Sequence, residues 1–161
     1  MKKLILLVAL VLPLALATAA SASGPVITSF TRDAATPSPF GGGNCGSFVV
    51  LFTAHIEGTN ISFQDDQGQL VKQIRHVHFT GTLYNSSDLS KSVPYEGAFT
   101  RTFEAATNTA TLTGLRFKVQ LPGEGVVALD TGQEVIVGPT LVSDTGNTFS
   151  NFVADVCAAL A

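Results

Sequence analysis

The sequence predicts an all-β domain: an antiparallel meander of about eight short strands, closed as a barrel or flattened into a barrel-like sandwich. Three observations lead there. Runs rich in Val, Ile, Phe and Thr alternate apolar and polar residues with a period of two. Turn residues punctuate these runs in NSSD, ATN, PGEG, DTGQ and SDTGN. No window sustains a helical period, apart from a terminal turn at ADVCAALA.

Taken in chain order, the first element is a leader. Met1-Lys2-Lys3 precedes the apolar run LILLVALVLPL and the small residues Ala20-Ser21-Ala22, the layout of a secretory signal peptide over residues 1–22. Pro13 interrupts the run, which is short against the roughly 20 apolar residues of a membrane span. Residues 23–47 contain TRDAATPSPFGGGNCGS and read as an irregular N-terminal lead, with only a weak strand signal at PVITSF. Residues 48–161 read as a single β-barrel-like domain.

Within that domain FVVLFTAHIE places Phe48, Val50, Phe52, Ala54 and Ile56 on one face, and NISFQ follows as a separate strand. DDQG at 65–68 is a turn. QLVKQIRHVHFTGTLY and VPYEGAFTRTF are long strands, in which Gly81 and Gly97 mark bends or close backbone approach. TLTGLRFKVQL places Leu115, Phe117, Val119 and Leu121 on one face, with Gly114, Arg116, Lys118 and Gln120 on the solvated other. VVALD and EVIVG flank Thr131-Gly132 as a hairpin, and NTFSNFVADV is the last strand.

Charge narrows the function classes. Removing Lys2 and Lys3 from nine basic residues leaves seven against twelve acidic ones, and none of the seven clusters. Nucleic acid and anionic membrane surfaces are therefore poor partners. No segment after the leader is long and apolar enough to cross a bilayer as a helix.

An exported chain meets an oxidising compartment, and two cysteines allow one intramolecular pairing, Cys45 with Cys157. CGSF has the start of a papain-type signature, but Phe48 stands where that pattern has its nucleophile. A metal role for two isolated cysteines lacks the close ligand spacing such sites use.

Three further constellations bear on chemistry. His76 and His78 share a strand face, with His55 on another strand, but their neighbours Lys72, Thr80 and Thr82 describe a solvated surface rather than a metal site. Arg75 shares parity with Val77 and Phe79, and Arg101 with Tyr95, Phe99 and Phe103. Both arginines then face the apolar side, where a guanidinium needs carboxylates or an anionic ligand, or else they sit at a barrel rim or beside a bulge, where parity shifts by one. Arg75, Arg101 and Tyr95 are the candidate ligand-binding residues. Asp-Thr-Gly occurs at 130–132 and 144–146, too close together for the two lobes of an aspartic protease, and reads as turn sequence. No catalytic residue, metal site or cofactor motif is assigned.

The run HVHFTGTLYN, KSVPYEGAFTRTF and TATLTGLRFKVQLPGEGVVALDTGQ, with Cys45 before it and VCAALA at the end, resembles a group of small exported proteins of actinobacteria and similar soil bacteria. That resemblance implies a secreted, all-β domain and supports the two-cysteine framework. It carries no activity. The expected function is non-catalytic binding of a small ligand or an extracellular partner. An isomerase or cyclase built on a small barrel is the enzymatic alternative, and a structural protein of the cell envelope is the third.

Overall fold

The computed structural model describes residues 24–147 and 149–161, so the predicted signal peptide lies outside the described residues. Seven strands form one sheet: β1 (Val26–Asn44), β2 (Val49–Gln64), β3 (Leu70–Asn85), β4 (Asp88–Glu104), β5 (Thr109–Leu121), β6 (Gly125–Val137) and β7 (Thr140–Asn147). They pair in sequence order, each antiparallel to the next. Helix α1 (Phe149–Leu160) ends the chain. The all-β meander is thus as expected, but the sheet has seven strands and does not close.

The differences from the expected strands have separate causes. FVVLFTAHIE and NISFQ are one strand, because β2 runs unbroken through Gly58 against β3. Most of the lead at 23–47 is β1, an edge strand paired from Val26↔Ser62 to Asn44↔Val49. Its prolines obscured it. Pro37 lies where the register slips between Ala34 and Ser38, and an edge strand tolerates proline at such a bulge. The expected last strand, NTFSNFVADV, divides between the end of β7 and α1. Seven antiparallel strands leave β1 and β7 running the same way, so the edges lack the antiparallel relation that joins every other pair.

β6 also absorbs the predicted hairpin at Thr131-Gly132. Gly132 pairs with Gly114 on β5 and Gly146 on β7, and all three have positive φ (127° at Gly114, 139° at Gly132, 106° at Gly146). A Cβ at Gly132 would strike the Thr145 carbonyl, and one at Gly146 the Thr131 carbonyl. The two Asp-Thr-Gly copies are therefore not turns. Each puts a glycine at one shared bend across adjacent strands, and each puts its aspartate two residues before that bend.

A bulge corrects the reading of β5. Leu115 pairs with Thr131 but Phe117 pairs with Asp130, so Arg116 is the extra residue. Side-chain parity shifts by one there. Phe117 and Val119 keep the inner face, Leu115 falls on the outer one, and Arg116 turns inward and is 4% exposed.

The core lies between the inner face of the sheet and α1. Phe152, Val156 and Leu160 recur every fourth residue on one helix face and are essentially fully buried. They join Val50, Leu83, Val93, Tyr95 and Val119. The disulfide Cys45–Cys157 ties α1 to the connection between β1 and β2. Asn85 Nδ2 donates to the Leu160 carbonyl at 3.1 Å, and Lys91 Nζ to a main-chain oxygen of Ala161.

Candidate functional site

The helix is shorter than the sheet it covers. Its 12 residues span about 18 Å, whereas the 16 residues of β3 extend for roughly 50 Å. One end of the inner face is therefore packed and the other stands open. At the boundary lies an open trough of about 410 Å³, lined by Phe52, Ile56, Val77, Phe79, Phe99 and Phe117 among others. Tyr95 lines it too.

The inner face repeats a pairing of an aromatic ring with a glycine directly across the ladder: Phe79↔Gly97 and Tyr95↔Gly81, whose rings line the trough, and Phe30↔Gly58 outside it. In each pair the ring lies where the glycine's side chain would be. A Cβ at Gly58 would come within 2.7 Å of Phe30 Cζ, and one at Gly81 within 2.6 Å of Tyr95 Cε1. Gly81 and Gly97 thus mark the close approach expected of them. The rings then pack on one another, Phe79 with Tyr95 at 5.6 Å and with Phe117 at 5.3 Å between centroids. Burial pushes the Tyr95 hydroxyl up to about 12, so it stays protonated at neutral pH.

The candidate arginines meet at the open end. Arg75 and Arg101 are direct partners across β3 and β4, one inward-facing row beyond Val77↔Phe99. Arg75 Nε donates to Asn60 Oδ1 at 2.6 Å, and its guanidinium lies 5.3 Å from the centroid of Phe30. The Arg101 guanidinium lies 5.4 Å from Phe103. Neither forms an ion pair among the described residues. Tyr95 is six residues from Arg101 along β4, on the same face, about 20 Å away along the strand. Sequence reasoning passed over Arg32. Its register partner is Ile56, so it stands on the same face at the β1 edge, exposed and without an ion pair among the described residues.

A second polar cluster, also missed, lies across β5. The buried Arg116 donates from Nε and Nη2 to Asp130 Oδ1 at 2.9 and 2.6 Å, and from Nη2 to Asp144 Oδ1 at 3.0 Å. Glu134 pairs with its Nη1. Burial raises the Asp130 carboxyl against the pull of Arg116, and it raises Glu134, which also feels Asp144 and Asp130. Burial disfavours the Arg116 charge, but its hydrogen bonds to Asp144 and Asp130 outweigh this and raise its pKa. The signal that could have found the cluster is the repeated Asp-Thr-Gly, which brings two aspartates to adjacent strands.

The histidines lie on the outer face. His55 Nδ1 is 2.6 Å from Asp33, a hydrogen bond that raises its pKa, and both side chains are more than half exposed. His76 meets Thr100 Oγ1 at 2.9 Å, and His78 lies 3.5 Å from Glu57. Among the described residues no group of three or more His, Cys, Asp or Glu side chains is placed to hold a metal ion. A larger outer hollow of about 640 Å³ beside the loop between β5 and β6 contains the ion pair Lys118–Glu96, which satisfies its own charges.

Compared with protein-family models, curated proteins and solved structures, the chain matches none.

Proposed function

We propose that this chain is an exported binding domain that holds a small, mainly apolar ligand in the trough on the inner face, without catalysis. The observation that carries this reading is the trough itself. About 410 Å³ of open space, lined almost wholly by aromatic and aliphatic side chains, falls in the usual range of small-ligand sites, roughly 300–1,000 Å³. The lining supplies no carboxylate, imidazole or thiol among the described residues, and its one ionisable group, Tyr95, is neutral at working pH. That composition supports holding a molecule rather than moving its protons. Export is supported by the leader sequence and fits the disulfide. Among the described residues no helix is long and apolar enough to cross a membrane.

The test is a titration with N-phenyl-1-naphthylamine, a dye that fluoresces when it leaves water. The wild type should enhance its emission saturably. Ile56→Trp, which fills the trough from a partly exposed position, should abolish the enhancement while the thermal midpoint stays within a few degrees. A wild type with no saturable enhancement would overturn the reading.

A further inference from the structure

We propose that the ligand is a single-chain amphiphile with an anionic head. Arg75 and Arg101 hold the head at the open end, and the chain lies along Val77, Phe99, Phe79 and Tyr95. This rests on the trough being a ligand site, and it names the class of molecule that fits.

The first argument is charge left unmatched. Like charges directly opposite on neighbouring strands repel, and Arg75 and Arg101 are such a pair. Three other cations of this sheet are answered by carboxylates: Arg116 by Asp130, Glu134 and Asp144, Lys72 by Glu104, and Lys118 by Glu96, while Lys91 donates to a main-chain oxygen of Ala161. Arg75, Arg101 and Arg32 have no ion pair among the described residues, and all three stand on the inner face. An anion bound between the first two removes their repulsion.

The second argument is preorganisation. The Asn60 hydrogen bond engages Nε of Arg75, which leaves both Nη groups to donate to a head group. Phe30 and Phe103 lie against the two guanidiniums and restrict their motion. Guanidinium groups bind carboxylate and phosphate oxygens through paired donors, and a head seated here takes two such forks.

The third argument is continuity. Along β3 and β4 the next inward row after the arginines is Val77↔Phe99, then Phe79 over Gly97, then Tyr95 over Gly81. A charged end therefore leads directly into an aromatic channel. The volume lies toward the small end of the range for ligand sites, which suits one chain. The carboxylates around Arg116, three against one cation, occupy the other side of the same face and disfavour a larger polyanion.

Competition against bound N-phenyl-1-naphthylamine tests the proposal, with laurate, monododecyl phosphate, dodecanol and dodecyltrimethylammonium as competitors. One or both anions should displace the dye at concentrations about tenfold below those of dodecanol, and the better anion identifies the head. Arg101→Gln breaks no hydrogen bond to the protein among the described residues. It should weaken the preferred anion by roughly five- to tenfold and change dodecanol and the dye by less than about twofold. Arg75→Gln should do the same, and Arg75→Lys should recover part of the loss. A wild type that binds the dye but ranks both anions with dodecanol overturns this proposal alone. So do arginine variants that weaken all competitors equally. A wild type with no saturable dye enhancement overturns the ligand reading as well.

Discussion

Arg116 shows how one residue can reverse a reading. Strict alternation along TLTGLRFKVQL sends it to solvent beside Lys118. The bulge turns it inward, where three carboxylates surround it. Removing the cation leaves those carboxylates close together and unpaired, so Arg116→Met should cost about 3–5 kcal/mol in chemical denaturation. Because burial raises Asp130 and Glu134, the unfolded chain releases these protons at lower pH than the folded one. Their contribution to stability is full below the ordinary carboxylate range and is lost as pH rises through the raised folded values. Glu134→Gln should therefore gain stability relative to wild type as pH rises upward from the ordinary carboxylate range, read as a widening gap between the two thermal midpoints. A constant gap would show that Glu134 titrates as it does in water. By contrast, alternation along the strands pointed Arg75 and Arg101 inward but left a rim or bulge position open, and the register decides between them, because no bulge interrupts the pairing of β3 and β4 from Lys72 to Tyr84.

Among the elements, α1 decides how much of the inner face is closed. Phe152 packs against Phe40 at 6.3 Å and Phe117 at 5.1 Å between centroids and has no exposed surface. Phe152→Ala should cost about 3–5 kcal/mol, whereas Asp155→Ala, on the exposed helix face, should cost less than about 0.5. The strands make a complementary prediction. Gly97→Val puts a side chain where the Phe79 ring and the Arg116 carbonyl lie, so it should destabilise the sheet and lower dye binding together. The helix was hard to read because only its last residues, ADVCAALA, carried a helical signal, while NTFSNFV has the β-branched and aromatic content of a strand. β1 was hard to read for the opposite reason. Its prolines and glycines resemble a loop, yet they fall where an edge strand and its register shifts accommodate them.

For the whole molecule, the disulfide is the long-range constraint. Cys45 and Cys157 close a loop across a sequence separation of 112 and hold α1 against the sheet. Replacing both with Ser should lower stability by about 2–5 kcal/mol, measured by denaturant titration against the oxidised wild type. An unchanged midpoint would mean that packing around Phe152 alone secures the helix. What the sequence by itself determined is what depends on local pattern: the all-β class from period-two alternation and the single possible cysteine pairing. What only the tertiary structure decided is what depends on register between distant strands. The bulge at Arg116, the glycine bend shared by β5, β6 and β7, the aromatic rings seated over glycines, and the open trough all arise where residues far apart in the chain are brought opposite one another. Alternation along one strand fixes which way each side chain points, but what it meets is set by its partner strand and by how far a short helix reaches across a long sheet.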